Sequence, residues 1–221
     1  MTETVQQNPP AGRGARLPRT ARRAQLLAAA QDVFAANGYH AAAMDEIAER
    51  AGVSKPVLYQ HFPGKLELYM ALLDSHVDQL IQRIDSAMAS TTDNKLRVRN
   101  AVSAYFDFVD EESQAFRLVF ESDLRGEPQV QSSIERATDA SVAAISRTIT
   151  ADAGLDEGRA RLLAVGLVGV SQVAARSWLA DNRRVPKEEA VALISTLAWR
   201  GIGGGFPLHH PPEPAPEQQH D

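Results

Sequence analysis

Apolar residues recur at intervals of three and four positions through most of the chain, which is the spacing of one face of an α-helix. No segment shows the alternation of a half-buried strand, and no internal repeat is visible. The pattern therefore predicts an all-α fold of about nine helices. Their predicted ranges are 20–37, 44–51, 55–62, 65–89, 95–109, 113–122, 129–150, 157–179 and 186–200.

The clearest local signals lie in residues 44–65. The apolar positions of 44–51 form one helical face, and Gly52 suits the left-handed conformation that ends a helix. Ser54 is expected to cap the next helix through its side chain, and Pro63 ends that helix. Two short helices joined by a turn that contains Gly are typical of a helix-turn-helix, whose second helix enters the major groove of DNA.

The second of these helices has one apolar and one polar face. Leu58 and Phe62, four residues apart, are expected to point inward. Four side chains are left facing outward: Lys55, Tyr59, Gln60 and His61. A cation, a phenol, an amide and an imidazole on one short helix suit contacts with phosphates and base edges.

The charge of the chain is unevenly distributed. The 221 residues carry a net charge of −5, but residues 1–65 hold eight Lys/Arg against five Asp/Glu, and the remainder holds 15 against 23. Arg22 and Arg23 lie at the start of the helix predicted at 20–37, where positive charge opposes the helix dipole. DNA phosphate would explain them, and ordinary surface arginines are the alternative. A basic first quarter on an acidic body is expected of a DNA-binding head.

The boundaries follow from composition and pattern. Residues 1–18 are predicted to be a disordered basic arm and residues 19–66 a three-helix DNA-binding head. Residues 67–202 are predicted to form a helical body for ligand binding and dimerisation, and the Pro/Gly-rich residues 203–221 a disordered tail.

Aromatic residues cluster on two neighbouring helices of the predicted body. The candidate ligand-binding residues are Tyr105, Phe108, Phe116 and Phe120. Small-molecule pockets are mostly apolar with a few polar groups, although an ordinary core would have the same composition. Tyr105 is the strongest candidate because a buried phenol needs a polar partner, for which Arg117, Gln172 and Arg176 are available.

The helix predicted at 157–179 is apolar on all sides in its middle, so we expect it to be buried on all sides. Gly166 and Gly169 would then let another helix approach closely. The apolar run within it is shorter than the roughly 20 residues of a membrane span.

Several chemistries find no support in the sequence. The chain has no Cys, which excludes disulfides, thiolate nucleophiles and Cys-based zinc sites. No catalytic motif, metal site or cofactor fingerprint is present, so we expect no enzyme activity and no cofactor. No signal peptide is visible, and a cytoplasmic location is expected.

The order of these parts resembles the TetR family of bacterial transcriptional regulators. The resemblance rests on a basic arm, a helix that ends in Asn37-Gly38-Tyr39, the stretch MDEIAERAGVSKPVLYQHFPGKLELY and an all-helical body. It implies a homodimer whose two heads bind a palindromic operator of double-stranded DNA, and a small-molecule effector that enters the body and releases the DNA. The implied function is that of a repressor.

The resemblance also implies roles for single residues. Lys55 and Gln60 correspond to DNA contacts of the recognition helix, and Tyr59 and His61 to phosphate contacts. Lys65 corresponds to a lysine that reaches a phosphate. The complete set of predicted DNA-binding residues is Arg22, Arg23, Met44, Lys55, Pro56, Val57, Tyr59, Gln60, His61 and Lys65.

The head departs from the family pattern at two places. Ala42 and Ala43 replace the usual Thr or Ser before the first motif helix, and Pro56-Val57 replaces a common Gly-Thr pair. Base readout is therefore expected to depend chiefly on Lys55 and Gln60. Two alternatives to a repressor remain open: a DNA-binding activator, and a helical ligand-carrier or enzyme with a vestigial head.

Overall fold

The computed structural model describes residues 17–111, 124 and 126–205. All regular structure within these residues is helical, which confirms the predicted all-α fold. The eight helices are α1 (Arg19–Ala41), α2 (Met44–Arg50), α3 (Lys55–His61), α4 (Lys65–Ala89), α5 (Asn94–Glu111), α6 (Pro128–Ala153), α7 (Glu157–Ala180) and α8 (Lys187–Gly205). The helix predicted at 113–122, with Phe116 and Phe120, lies outside the described residues.

The chain divides into two compact units between Tyr69 and Met70. The first unit contains α1 to α3 and the start of α4. The second contains the rest of α4 and the four later helices, among which α7 packs against α5, α6 and α8. One continuous helix, α4, contains the boundary.

Glycines set the breaks in the first unit. Gly38 has a φ of 72° and interrupts α1, and Gly52 has a φ of 65° in the turn between α2 and α3. Both positive φ angles have a low conformational energy only in a residue without a Cβ atom. The predicted side-chain cap at Ser54 is wrong: its hydroxyl accepts no capping bond. Its backbone oxygen instead accepts from the N–H groups of Val57 and Leu58 at 2.9 and 3.2 Å.

The core of the first unit fixes the angle between the short helices α2 and α3. Ile47 and Leu58, one from each helix, are fully buried, and Phe62 is 2% exposed. Full burial of such side chains stabilises a fold by about 1.5–3 kcal/mol each. The inward orientation predicted for Leu58 and Phe62 is confirmed, and the opposite face of α3 is left outward.

Polar contacts also tie α2 to α1. The Asn37 amide donates to both carboxylate oxygens of Glu46 at 3.0 and 2.9 Å, and the Gln25 amide donates to the carbonyl of Ala51 at 2.8 Å. These hydrogen bonds supplement the apolar core in holding α2 and its C-terminal residue against α1.

The second unit differs from expectation at α7. Its buried positions include Ala160, Ala164 and Val168, but Leu162 is 73% exposed and Val173 is 60% exposed. The prediction that α7 is buried on all sides is therefore wrong for the single chain. A Cβ atom built on Gly166 or Gly169 meets nothing within 4 Å, so no described helix approaches closely there.

By length and composition, α7 is also the one helix among the described residues that is apolar enough to cross a membrane. Only 28% of its most apolar window is buried within the structure. A core helix of a soluble protein passes the same test.

Candidate DNA interface and body cavity

The recognition helix α3 presents the side chains that the sequence predicted to face outward. Lys55, Pro56, Tyr59 and Gln60 are exposed, whereas Val57 and His61 are half-buried. Met44, at the start of α2, is also half-buried. The exposed set combines a cation with two hydrogen-bonding groups, which is the chemistry needed at phosphates and base edges.

A groove lies between α3 and the first turn of α1. It is lined by Leu17, Arg19, Arg22, Val57, Gln60 and His61 and has a volume of about 510 Å³. Four of these residues belong to the predicted DNA-binding set. Arg19, the first residue of α1, joins them. Two guanidinium groups therefore line the groove together with the amide of Gln60.

The arginines also act on His61. Partial burial lowers the pKa of this imidazole, and the positive charges of Arg19, Arg23 and Arg22 lower it further. Arg23 lies over the Phe62 ring, with 4.6 Å between its guanidinium carbon and the ring centroid. The cluster disfavours a further positive charge, and a phosphate placed there would reverse that preference.

Lys55 is not a free cation in this structure. Its ammonium donates to the carboxylate of Asp45 on α2 at 2.5 Å, and both side chains are about 60% exposed. An exposed pair of this kind contributes roughly 0–1 kcal/mol. A DNA phosphate can therefore replace Asp45 at small cost.

Lys65, for which the family resemblance implies a phosphate contact, is bound to backbone oxygens of its own chain in this structure. Its ammonium donates to the carbonyl oxygens of Tyr39, His40 and Ala42 at 2.8, 3.1 and 3.0 Å. It also lies 4.6 Å from the centroid of the Tyr39 ring. An ammonium has three N–H donors, and these carbonyls engage all of them. Lys65 therefore holds the last turn of α1 and the residue that follows it.

The substitution of two alanines before α2 has the expected local consequence. Ala43 is the N-cap residue of α2 and supplies no side-chain hydrogen bond. Asp45 and Glu46 in the first turn partly compensate, since negative charge is favourable at a helix N-terminus.

The second unit contains a cavity of about 710 Å³. It lies within the range of roughly 300–1,000 Å³ that is typical of small-molecule sites. Most of its lining is aliphatic, contributed by α5, α6, α7 and α8, with Met88 from α4. The apolar residues are Met88, Val98, Ala101, Val102, Ile145, Ile149, Ala153, Leu162, Leu163, Leu167, Val170, Leu197, Ala198 and Trp199.

Polar groups lie towards two parts of the cavity. Asn94, Arg97 and Asp152 come from the first turn of α5 and the last turn of α6, whereas Tyr105 lies three turns along α5. The Tyr105 phenol bonds to Ser141, and burial raises its pKa to about 12. It is therefore neutral at physiological pH. The partners suggested by the sequence, Gln172 and Arg176, are not the ones the structure gives it.

The two aromatic ligand-binding candidates within the described residues have different locations. Tyr105 lines the cavity. Phe108 is fully buried and is not part of the described lining, so core packing accounts for it. No sequence pattern points to Arg97 or Asp152, whose pairing spans 55 residues. Over the ranges that the structure describes, no group of three or more His, Asp or Glu side chains could hold a metal ion.

The fold and the outward surface of α3 together define a helix-turn-helix DNA-binding protein with a separate helical body. The chain belongs to the TetR family of transcriptional regulators. Residues 26–72 match "Bacterial regulatory proteins, tetR family", and residues 94–201 match "Tetracyclin repressor-like, C-terminal domain". It is accordingly a DNA-binding transcriptional regulator, as the sequence predicted.

Relatives and solved structures agree with this assignment. The chain is 53% identical over 196 residues to the "HTH-type transcriptional activator FasR" of Mycolicibacterium smegmatis, which covers 87% of this chain and 90% of the relative. A TetR-like regulator from Rhodococcus sp. RHA1 has a TM-score of 0.68 and 27% identity, over 86% of this chain and 100% of that one. The regulator FadR of Bacillus subtilis, solved in complex with stearoyl-CoA, has a TM-score of 0.69 and 21% identity, over 81% and 98% of the two chains.

Proposed function

We propose that this regulator is a cytoplasmic homodimer that activates transcription from a palindromic operator and responds to a small molecule with a long aliphatic chain. The observation that carries the proposal is the cavity of about 710 Å³ in the body. An apolar occupant of a cavity of this size would supply the contacts that its lining side chains lack.

The shape of the lining favours a chain over a compact ring system. Along α5, cavity residues extend from Asn94 to Tyr105. At 1.5 Å per residue these positions span about 16 Å. Apart from Arg97, the cavity-lining side chains between them are aliphatic: Val98, Ala101 and Val102. The stearoyl-CoA bound by FadR of Bacillus subtilis, a protein of the same fold, supports an acyl chain as the occupant.

Dimer formation is supported by the exposed apolar side of α7 and α8. Val165 is 47% exposed and Val173 is 60% exposed on α7, and Trp199 on α8 is 46% exposed. Several exposed apolar side chains on two packed helices favour an interaction site. A second copy would bury it with the same surface, as a two-fold interface requires. Two heads related in this way would bind two half-sites of one palindrome.

The proposed direction of control follows the 53% identical relative, which is named as an activator. The family resemblance alone favoured a repressor that a ligand releases from DNA. A specific experiment separates the two. The purified protein is used to select its operator from fragments of its own genome, and the operator is then placed beside its native promoter for transcription in vitro.

We expect the protein to increase transcript yield, and palmitoyl-CoA to change that yield at a fixed protein concentration. A decrease in transcript with protein alone would establish repression instead. Failure to enrich any genomic fragment would contradict the operator, and an unchanged yield with palmitoyl-CoA would contradict the proposed ligand class.

The dimer has its own test. Val173→Arg places a charge in the proposed interface, outside the cavity lining. Leu96→Arg, on α5, is a matched control because Leu96 is also an exposed apolar residue, at 45%. Analytical ultracentrifugation should show a dimer for the wild type and for the Leu96 variant, and a monomer for the Val173 variant. A monomeric wild type would contradict the proposal.

A further inference from the structure

One end of the body cavity holds a charged pair. The Nη1 atom of Arg97 donates to Asp152 at 2.7 Å and to the side-chain oxygen of Asn94 at 2.8 Å. Arg97 and Asp152 are the basic and the acidic residue of the described cavity lining. The described lining of this mostly apolar cavity therefore carries one positive charge.

The rest of the arginine side chain is fixed in place. Its Nε atom donates to the carbonyl oxygens of Met88 and Thr91 at 3.2 and 2.7 Å. The Met88 carbonyl lies in the last turn of α4, where helix oxygens lack partners within the helix, and Thr91 lies just beyond the end of that helix. The side chain is 17% exposed, against 39% for that of Asp152. The guanidinium is thus held by the backbone, and the carboxylate is the more exposed member of the pair.

The same contacts leave one side of the guanidinium for a ligand. Within the described residues, the hydrogen bonds of Arg97 use Nε and Nη1, and none uses Nη2. A guanidinium presents five N–H donors in a fixed fork that fits carboxylate and phosphate oxygens. Nη2 and Nη1 together form one edge of that fork, and Asp152 occupies only the Nη1 position.

We propose that Arg97 binds the anionic head group of the effector and that the head group displaces Asp152. This inference rests on the proposed ligand class, because it assumes that an aliphatic chain fills the cavity. Asp152 keeps the arginine paired while the cavity is empty, since removing a partner from a partly buried charge is costly. A ligand anion restores the pair, and Asp152 turns to solvent. A neutral head group could not compensate for that loss.

Two sources supply such an anion: the carboxylate of a free fatty acid, and a phosphate of an acyl-CoA. The shared chemistry is an aliphatic chain that ends in an oxyanion. Palmitate, palmitoyl-CoA and hexadecanol carry chains of the same length and differ in the head group. Trp199 lines the cavity, so its fluorescence reports binding of each probe to the full-length protein.

Three variants test the roles of Arg97 and Asp152 separately. Asp152→Asn removes the competing carboxylate and keeps the shape of the side chain. Asp85→Asn is its matched control, because Asp85 also pairs with an arginine of a neighbouring helix, Arg147 at 3.9 Å, outside the cavity lining. Arg97→Gln removes the cation, and its thermal unfolding is measured in parallel because it also loses contacts with α4.

We expect Asp152→Asn to tighten binding of an anionic probe about tenfold, as the removal of a competitor for a charged hydrogen bond predicts. Hexadecanol affinity should stay within about twofold, and Asp85→Asn should change neither. Arg97→Gln should weaken the anionic probe about tenfold or more while hexadecanol still binds. A response of palmitate alone identifies a carboxylate as the head group, and a response of palmitoyl-CoA alone identifies a phosphate.

Equal changes for anionic and neutral probes in Asp152→Asn, or no change for either, would overturn the role of Arg97 while leaving the proposed ligand class intact. Failure of all three probes to bind the wild type would overturn both proposals.

Discussion

The ammonium of Lys55 on the recognition helix lies 2.5 Å from the carboxylate of Asp45 on α2. This acid places negative charge on the surface that is predicted to meet DNA phosphates, and it pairs with the lysine that the sequence predicted to contact DNA. Asp45→Asn should therefore tighten operator binding several-fold, since an exposed ion pair contributes up to about 1 kcal/mol and that energy is no longer lost on binding. Fluorescence anisotropy with a labelled operator measures the effect.

A neighbouring pair supplies the control for Asp45. Asp32 on α1 pairs with Arg50 on α2 at 2.9 Å, with side chains 46% and 60% exposed. Asp32→Asn changes the net charge equally but frees no residue of the recognition helix. We expect it to raise affinity less than Asp45→Asn. Equal gains in the two variants would mean that net charge alone, and not the release of Lys55, controls binding.

Lys65 should contribute to stability more than to DNA contact. Lys65→Met leaves three carbonyls without their donor: the partly buried ones of Tyr39 and Ala42 and the exposed one of His40. A cost of about 2 kcal/mol is expected, which corresponds to a fall of roughly 4–8 °C in Tm for a chain of this size. Circular dichroism during heating measures it.

The exposed Lys55 is the matched lysine. Lys55→Ala should leave the Tm nearly unchanged and lower the slope of log affinity against log salt by about 0.9. Lys65→Met should lower the Tm and leave the slope unchanged. A reduced slope in the Lys65 variant would support the phosphate contact that the family resemblance implies.

His61 should make DNA binding depend on pH. Partial burial and the charges of Arg19, Arg23 and Arg22 hold its pKa below the ordinary 6.5 in the free protein. A phosphate raises the pKa on binding, so the complex takes up a proton. Operator affinity should then rise about threefold as the pH falls from about 7.5 to 6 at constant ionic strength.

The control for pH uses the other imidazole described in the head. His40 is exposed, so His40→Gln should keep the pH dependence, and His61→Gln should remove it. Identical pH profiles in the two variants would exclude His61 as the titrating group.

The features that could be predicted from the sequence are the ones that depend on nearby residues. Gly52 ends a helix because of its own backbone freedom, and Leu58 and Phe62 lie on one face because they are four residues apart. The hydroxyl of Ser54 is the exception: the backbone oxygen of the same residue accepts from the first N–H groups of α3. Local rules give the position of a helix start but not the atom that satisfies it.

The body was less predictable, because its site is assembled from distant parts of the chain. Arg97 meets Asp152 across 55 residues, and Tyr105 meets Ser141. Neither pair has a spacing that a sequence pattern could reveal. The error at α7 has a related cause: an apolar side chain that faces a cavity or a second copy has the same periodicity as one buried in the core of its own chain.

The cavity offers a sharp test through two glycines of α7. Gly166 lines it and Gly169 does not, and a Cβ atom on either meets nothing within 4 Å. Both can therefore be replaced without a clash at the Cβ atom, and both gain helix propensity of up to about 1 kcal/mol over Gly.

Gly166→Leu should fill part of the cavity and weaken palmitoyl-CoA binding more than binding of an octanoyl chain, because the longer chain needs the occupied volume. Gly169→Leu should leave both affinities unchanged. It should raise the Tm by about as much as Gly166→Leu does, because both variants gain the same helix propensity. Equal loss of the two chain lengths in Gly166→Leu would show that the long chain does not use this part of the cavity, and an effect of Gly169→Leu alone would move the ligand to the outer side of α7.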